Sequence, residues 1–287
     1  MSLLSPQLQA FFAVANCKTV HGAAALIHIT QTAVTQRIRS LEKQLQTSLF
    51  IRSKKGMLLT SEGQALLRYC HAASELEGDT ISKIHGAAIK TEILVTICAP
   101  SSMMKSRIIQ KCMSIRSQFP QLLFKFEVND LENRHQLLKS GKCDLAVIHP
   151  EDCAKEMTCK KLKLEEYILV CSPKWKNRKL QEIISTERII DFNEEDRNTF
   201  NYLKYYNLFH LARHDRYFVN NTDLLAWMII NDHGYTTLTK ELSEEYIEKS
   251  KMISINQNKT YEHTYLLAWY PRPELPEYFS AIINAID

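Results

Sequence analysis

A group of polar side chains near residue 35 has the chemical types and the spacing needed to bind a nucleic acid. At about 100° per residue, Thr32, Thr35, Gln36, Arg39 and Lys43 fall within one sector of a helix. Hydroxyl and amide groups come first along this sector and cations follow. Because hydroxyls and amides hydrogen-bond base edges while cations bind phosphates, the order predicts base contacts from the early turns. Any surface helix also carries a polar face, so this pattern needs support from its surroundings.

The elements around this sector predict a small helical module. Val34, Ile38, Leu41 and Leu45 are spaced 4, 3 and 4 apart on the opposite face, which we expect to be buried, and Thr30 is suited to cap the helix. Two shorter helices precede it. The first starts at Ser5-Pro6 and the second covers residues 20–27.

Two short apolar runs after the helix predict a hairpin with a basic tip. Residues 49–52 and 57–59 read as strands, and Ser53, Lys54, Lys55 and Gly56 join them. An isolated hairpin is only marginally stable, so it must pack on the helices. The alternative to a DNA-binding wing is an ordinary hairpin with a solubilising turn.

Charge is distributed unevenly along the 287 residues, although the net charge is only +4. Residues 1–60 contain seven Lys and Arg side chains and one acid, Glu42, whereas the remainder contains 29 basic and 31 acidic side chains. A positive module attached to a nearly neutral body favours a polyanionic partner for the N-terminal end.

The motifs TVHGAAALIHITQTAVTQ, followed by LE, and LFIRSKKGMLLTSEGQALL resemble the DNA-binding signature of LysR-type transcriptional regulators. Lys18, Val20 and Thr32 depart from the residues common in that family, which are Gly, Phe and Pro. The resemblance implies a winged helix-turn-helix whose recognition helix runs from about Thr30 to Gln46. The candidate contacts to double-stranded DNA are Thr30, Gln31, Thr32, Thr35, Gln36, Arg37, Arg39, Arg52, Lys54 and Lys55.

A long linker helix is predicted after the hairpin. Thr60 or Ser61 can cap it, and Ser61 with Gln64 matches a capping box. A seam at spacings of 3, 4, 3 and 4 suits either a short coiled coil between two chains or packing against the chain's own body. The family resemblance favours a homodimer or, by association of dimers, a homotetramer. The seam residues are Leu66, Tyr69, Ala73, Leu76 and Thr80, and Gly86-Ala87-Ala88 is the expected end.

From residue 91 strands alternate with helices, which predicts a mostly parallel sheet and an α/β domain of two lobes with a cleft. The first lobe is assigned to about 90–150 and 264–287, and the second to about 151–263. Strands are expected at 93–97, 122–128, 144–148, 167–171 and 264–269, and helices near 103–117, 131–139, 222–231 and 276–286.

Ligands of such sheets bind beyond the carboxyl ends of the strands, where helix N-termini offer N–H groups. Simple capping explains each polar residue at these ends equally well, but several converge there. The motifs SQFPQLLFKFEVND, LLKSGKCDLAVI and NDHGYTTL also resemble the effector domain of the LysR family, which is similar to periplasmic solute-binding proteins. The expected partner is a small-molecule effector such as an amino acid or another small carboxylate. The candidate effector contacts are Ser101, Ser102, Asn129, His149 and Thr222.

The fold prediction is therefore α/β overall, with a winged helix-turn-helix at 1–60, a linker helix at 61–89 and an effector domain at 90–287. We expect no catalytic residue, cofactor, metal or membrane partner, and the absence of a signal-peptide pattern and of a long apolar run predicts a cytoplasmic protein. One alternative is a thiol-redox sensor using Cys153 and Cys159. Another is an enzyme acting in the cleft, although the sequence lacks the common nucleotide-binding and hydrolase motifs.

Overall fold

Three helices and a hairpin form the N-terminal module of the computed structural model, which describes residues 4–53, 56–84, 92–130, 133–272 and 274–287. The elements are α1 (Pro6–Cys17), α2 (Val20–Leu26), α3 (Gln31–Leu45), β1 (Phe50–Ser53) and β2 (Gly56–Leu59). The predicted winged helix-turn-helix is confirmed.

Side-chain caps start the helices where the sequence predicted them. The Ser5 hydroxyl accepts a hydrogen bond from the Leu8 N–H, and the Thr30 hydroxyl accepts one from the Ala33 N–H at 3.1 Å. Thr19 does the same for α2 through the Gly22 N–H. These caps fix the first turn of each helix and therefore the direction in which its faces point.

The core of the module is apolar and comes from every element. Phe11, Val14 and Val34 have no exposed surface, and Leu49 brings the first strand region into the same cluster. Leu45 was expected on the buried face, but it is 44% exposed. The helix ends there because Gln46 adopts a left-handed conformation with φ of 53°, so the last turn has little to pack against.

The hairpin is held against the turn between α1 and α2. The Met57 N–H donates to the Lys18 carbonyl at 2.8 Å. Gly56 has φ of 105°, and a Cβ there would lie 2.5 Å from the same Lys18 oxygen. Only glycine therefore fits this approach. Lys54 and Lys55, the predicted basic tip, lie outside the described residues.

Helix α4 (Ser61–Ile84) links the module to the C-terminal domain. Thr60 is the residue that caps it, because its hydroxyl accepts from the Gly63 N–H at 2.9 Å, whereas the Ser61 hydroxyl donates to Glu62 instead of closing the expected box with Gln64. The predicted end at 86–88 lies outside the described residues.

The linker helix contacts both parts of the chain. Leu67 and Cys70 join the core of the N-terminal module. On another side, the Arg68 guanidinium donates to the Lys139 carbonyl and lies 3.9 Å from the centre of the Tyr270 ring. The helix is therefore packed against both the N-terminal module and the C-terminal domain.

Five strands of the first lobe form one sheet in the order β4–β3–β5–β13–β6. β3 pairs parallel with β4 and β5, and β13 pairs antiparallel with β5 and β6. The strands are β3 (Ile93–Ala99), β4 (Leu122–Val128), β5 (Leu145–Ile148), β6 (Thr158–Lys161) and β13 (Leu266–Trp269). The expected second-lobe boundary at 151 was wrong for β6, which returns to the first sheet before the chain crosses over.

The helices of the first lobe pack against this sheet. One helical segment is made of three consecutive parts, which are an α-helical turn at Ser101–Met103, a π-helical turn at Met104–Ile108 and an α-helix at Ile109–Ile115. Part of the predicted helix at 131–139 lies outside the described residues. The labelled helices are α5 (Ser101–Met103), α6 (Ile109–Ile115), α7 (Arg134–Lys139) and α12 (Glu277–Ala285).

The second lobe is built around β7 (Glu165–Cys171), which pairs antiparallel with each of its partners. The expectation of mostly parallel pairing was therefore wrong here, because the chain returns to β7 through reversing connections; β8 and β9 pair parallel. The other strands are β8 (Ile189–Asp191), β9 (Arg216–Phe218), β10 (Thr236–Thr239), β11 (Ile253–Ser254) and β12 (Thr260–His263). The helices are α8 (Leu180–Thr186), α9 (Asn198–Tyr205), α10 (Thr222–Ile230) and α11 (Lys240–Glu248).

The chain crosses between the lobes twice, at 162–164 and at 264–265. The two-lobed α/β architecture is confirmed. Within the described ranges, none of the helices combines the length and the apolar character that crossing a membrane requires.

Candidate nucleic-acid interface and ligand cavity

A broad concave surface lies between the start of α2, the outer face of α3 and the hairpin. It encloses about 610 Å³ and brings six of the predicted DNA-contacting residues together. These are Gln31, Thr32, Thr35, Gln36, Arg39 and Arg52. The remaining lining residues are Lys18, Thr19, Val20, Ser53, Gly56 and Met57.

Two predicted contacts lie away from this surface. Thr30 is occupied as the cap of α3, and Arg37 is partly buried on a different side of the helix. Neither lines the concavity. Lys54 and Lys55 cannot be placed because they lie outside the described residues.

Local hydrogen bonds orient the first turn of α3. The Gln31 amide nitrogen lies 3.1 Å from Nδ1 of His21, and the Thr35 hydroxyl donates to the Gln31 carbonyl at 2.9 Å. Since its hydroxyl proton is engaged, Thr35 presents mainly acceptor lone pairs outward. The side chains of Thr32 and Gln36 are exposed beside it.

The electrostatic character of the concavity is positive. Among the described lining residues the charged side chains are Lys18, Arg39 and Arg52, and no acid is included. Sequence reasoning missed Lys18 as a lining residue. The pattern around α3 could not indicate Lys18, because this residue lies in the left-handed turn that ends α1, where its φ is 56°.

A second concave site lies between the two lobes of the C-terminal domain, with a volume of about 370 Å³. Ser101, Ser102, His149 and Thr222 line it, as the sequence predicted. Asn129 does not. Its side-chain amide donates to Asn133, and its backbone N–H donates to the Ala99 carbonyl, so it continues the strand end instead of facing the cavity.

The two lobes touch directly at one side of this cavity. The Ser101 and Thr222 hydroxyls are 2.6 Å apart across the cleft. The Ser101 N–H at the helix start donates to the Asp130 carboxylate at 2.7 Å, so an acid of the first lobe already occupies this backbone donor. Asn221 likewise caps α10 through the Leu224 N–H.

The floor of the cavity is aromatic and was not predicted apart from His149. The His149 ring lies 4.7 Å from that of Tyr265, and the Tyr167 ring lies 4.9 Å from that of His263. Burial and the neighbouring His149 lower the pKa of His263 to about 4, and its Nε2 atom is buried without a hydrogen-bond partner among the described residues. His263 is therefore neutral near pH 7.

The second lobe supplies the opposite wall, which sequence reasoning also missed. Asp196 accepts hydrogen bonds from the Phe192 and Asn198 N–H groups and so shapes a tight turn. A run of threonines on β10 adds hydroxyls. The lining residues of this wall are Phe192, Asn193, Glu195, Asp196, Arg197, Asn198, Asn201, Leu225, Thr236, Thr237, Leu238, Thr239 and Leu242.

Cys153 and Cys159, the residues of the thiol-sensing alternative, are joined by a disulfide. Neither lines the cavity between the lobes. The described residues contain no cluster of His, Cys, Asp and Glu suited to hold a metal ion.

Two family models match the chain. The first describes a bacterial regulatory helix-turn-helix protein of the lysR family and matches residues 6–64; the second describes a LysR substrate binding domain and matches residues 92–287. A substrate-binding domain favours ligand sensing over thiol sensing.

Individual proteins agree with this assignment. The chain is 24% identical over 166 residues to the nitrogen assimilation regulatory protein nac of Escherichia coli, covering 57% of this chain and 54% of that protein. The chain spans only a little over half the length of the first curated relatives that it matches.

Solved structures show the same fold over nearly the whole chain. ArgP from Mycobacterium tuberculosis superposes with a TM-score of 0.83 at 20% identity, covering 99% of this chain and 96% of that one. LysG from Corynebacterium glutamicum, solved with bound effector Arg, superposes with a TM-score of 0.77 at 15% identity and the same coverage. At these identities the likeness establishes the architecture alone.

Proposed function

The chain belongs to the LysR family of transcriptional regulators, and from that premise we propose that it binds double-stranded DNA through the α3 concavity under the control of a small molecule held between its lobes. The observation that carries the proposal is the composition of the concavity. Amides and hydroxyls that can read base edges lie between cations that can bind phosphates, and all are accessible.

The roles within the concavity follow from position. Gln31, Thr32 and Gln36 lie on the first turns of α3 and are suited to contact base edges in a major groove. Arg39 lies one turn further along, and Arg52 lies on the hairpin, where phosphates of the adjacent backbone would pass. Lys54 and Lys55 are still proposed as phosphate contacts, because the sequence places these two cations at the tip of the hairpin.

The cavity between the lobes is proposed as the effector site. Its volume of about 370 Å³ lies in the range of small-molecule sites, and hydroxyls and amides converge on it. Ser101, Ser102, His149 and Thr222 are the proposed contacts that sequence and geometry share. The proposed ligand stays an amino acid or another small carboxylate, and LysG is described as binding Arg.

Self-association through α4 is proposed as the basis of a homodimer. Tyr69 and Leu76 lie on the predicted seam and are 57% and 64% exposed. A second chain would cover them, since exposed large apolar side chains in register on a helix are unusual in a monomer. Exposed Leu224 and Trp227 on α10 offer a further apolar surface for assembly into a tetramer.

Control of DNA binding is proposed to pass through α4. An effector can change DNA affinity only if it binds one arrangement of the lobes more tightly than another. Because Arg68 of α4 contacts Lys139 and Tyr270 of the first lobe, a change in that lobe alters the platform on which the DNA-binding modules stand. The protein is proposed to act in the cytoplasm as a regulator and not as an enzyme.

The direct test is binding of the purified chain to duplex DNA selected from a random pool, measured by fluorescence anisotropy at several salt concentrations. The proposal predicts a sequence preference and a steep fall of affinity with salt, because phosphate contacts release counterions. Salt-independent binding, or no preference among duplexes, would refute it. The same titration repeated with candidate metabolites measures effector coupling separately.

A further inference from the structure

The wall of the cavity between the lobes carries more acids than bases. One of its two arginines, Arg134, already donates to the carbonyls of Val147 and Asn129, so its charge is committed to the protein backbone. His263 is neutral near pH 7. The carboxyl groups on the wall are those of Asp130, Glu151, Glu195 and Asp196, and the guanidinium groups are those of Arg134 and Arg197.

A further carboxyl group lies directly beneath this wall. Glu165 opens β7 at a crossing between the lobes, and none of its surface is exposed. Its two oxygens accept hydrogen bonds from the Ser102 hydroxyl at 3.1 Å and from the Tyr167 hydroxyl at 3.0 Å. Both donors line the cavity. Glu165 is thus separated from the cavity by a single layer of hydroxyl groups.

No lysine or arginine in the part of the chain that the structure describes forms an ion pair with Glu165. The charge of Arg107 acts on Glu165, but that guanidinium is paired with Glu241 on α11. Burial raises the pKa of the Glu165 carboxyl, while hydrogen bonds from Tyr167 and Ser102 oppose the rise. A buried carboxyl group without a cationic partner is costly when ionised, so it needs either a proton or a cation.

We propose that Glu165 is the buried counter-charge that selects a positively charged effector. This inference rests on the proposed effector site and deepens it. The cationic group of the ligand lies against the Ser102 and Tyr167 hydroxyls, which polarise toward the Glu165 carboxylate behind them. Glu165 does not itself contact the ligand. Its negative charge acts on the cation through the two hydroxyl groups that it holds by hydrogen bonds. The ligand class is an amino acid with a guanidinium or ammonium side chain.

Binding of the cation is coupled to the protonation state of the Glu165 carboxyl group. When the carboxyl group is protonated in the empty protein, it loses that proton to solvent as the cation arrives, and no bond of the ligand changes. The charged and titratable groups that face Glu165 are Arg107, Glu241, Tyr167, Tyr265 and its cross-strand partner His263. With a pKa of about 4, His263 does not exchange protons above pH 6, so it does not obscure the measurement.

A purely structural role for Glu165 makes a different prediction. If the carboxyl group only ties Ser102 to Tyr167, a glutamine of the same shape should preserve binding of every ligand. If it is a counter-charge, the glutamine variant should lose preference for cations alone. Glu166→Gln is the matched control, since Glu166 is the next residue, is partly exposed and pairs with Lys240 away from the cavity floor.

The experiment is calorimetric titration of the full chain with two matched pairs of probes. L-arginine is compared with L-citrulline, its neutral isostere, and L-lysine with 6-hydroxynorleucine. For at least one pair we expect the wild type and Glu166→Gln to bind the cationic member at least tenfold more tightly, and Glu165→Gln to bind both members within about twofold. Titration in two buffers of different ionisation enthalpy, repeated at several pH values, should show proton release by the wild type that increases as the pH is lowered, and none by Glu165→Gln.

Three results would overturn the inference. They are equal binding of cationic and neutral probes by the wild type, a preference for cations that survives in Glu165→Gln, and the absence of measurable binding of either cation. Salt-sensitive DNA binding is measured on the same samples. If it persists, the proposed regulator function stands even where the proposed ligand class fails, so the two failures are distinguishable. Far-ultraviolet circular dichroism of Glu165→Gln separates lost selectivity from lost folding.

Discussion

The proposed DNA-binding concavity and the proposed ligand cavity are built in opposite ways. The lining of the concavity comes entirely from residues 18–57, whose helices are fixed by caps and by contacts within the same module. The cavity draws on segments that run from Pro100 to Tyr265, and a hydrogen bond between two of its lining residues joins positions that are 121 residues apart. One site depends on local structure, whereas the other exists only after two lobes have folded and met.

This difference has an energetic consequence. The N-terminal module has its own apolar core, and the lobes of the C-terminal domain have separate cores, so each can respond to substitutions without the other. In the proposed function, the contacts of α4 with both parts join the two sites.

The substitution with the largest expected effect disrupts the concavity and leaves the cavity intact. Val34→Asp would place an unpaired carboxylate in the core of the module, at a cost of about 3–5 kcal/mol, and should abolish DNA binding. Trp175, Trp227 and Trp269 all lie in the C-terminal domain, so their fluorescence reports that domain alone. We expect an unchanged fluorescence melt beside a reduced helical signal in circular dichroism.

If the tryptophan fluorescence transition shifted together with the helical signal, the two regions would form one cooperative unit. Val34→Ile, which keeps an apolar side chain at the same position, is the matched control and should retain most of the DNA affinity.

A smaller effect separates two arginines that the sequence treats alike. Arg39→Gln removes a cation from the concavity and should weaken DNA binding about tenfold at low salt, with the log–log salt slope reduced by about one. Arg37→Gln should change affinity by less than about twofold, because Arg37 does not line that surface. Anisotropy titrations of both variants provide the measurement. Equal losses would show that the concavity does not define the DNA contact.

Helical periodicity made the first region predictable from sequence. A 15-residue helix with one apolar and one polar face can be oriented without knowing the rest of the fold, and the caps at Ser5 and Thr30 were recognisable by residue type. The exceptions were Leu45, which is exposed, and Lys43, which belongs to the polar sector but does not line the concavity. Periodicity gives an angle around the helix, but it does not say where the helix ends or how far the neighbouring hairpin extends.

The lining of the cavity was predictable only where a polar residue follows the end of a strand. Ser101, Ser102 and Thr222 were found by that rule, whereas Asn129 satisfied the rule but is turned away. The wall contributed by the second lobe was not predicted, since its position depends on antiparallel pairing with β7 and on the route of the chain between lobes. Long-range topology of this kind leaves no local signature.

Acid should weaken the cavity region specifically. The pKa of His263 falls from 6.5 to about 4 on folding, so between these values the unfolded chain binds a proton that the folded chain excludes, and stability decreases as the pH is lowered. Because the ring is partly exposed, we expect a loss of about 1 kcal/mol. His263→Gln should lose less stability over pH 6.5 to 4 in urea titrations followed by tryptophan fluorescence.

The exposed His210 provides the control for this titration, since His210→Gln should follow the wild-type curve. Parallel curves for the wild type and His263→Gln would contradict the assignment of this pH dependence to the cavity floor.

The smallest expected effect concerns the turn beneath the hairpin. Lys18 has φ of 56°, a conformation that costs a residue with a side chain about 1 kcal/mol. Lys18→Gly should therefore stabilise the N-terminal module by about 0.5–1 kcal/mol, while removing one cation from the concavity. Ser40→Gly, at an exposed position in the interior of α3, should instead destabilise it by about 0.5 kcal/mol. Thermal melts by circular dichroism compare the two, and the same sign for both would refute the conformational argument.

The central claim, that the α3 concavity faces DNA, is tested most directly by photo-crosslinking. A benzophenone side chain is introduced at Gln36 on the concavity or at Gln44, which is exposed on the same helix but does not line it. The proposal predicts a crosslink to bound duplex DNA from position 36 and little or none from position 44. Efficient crosslinking from position 44 with none from position 36 would contradict it.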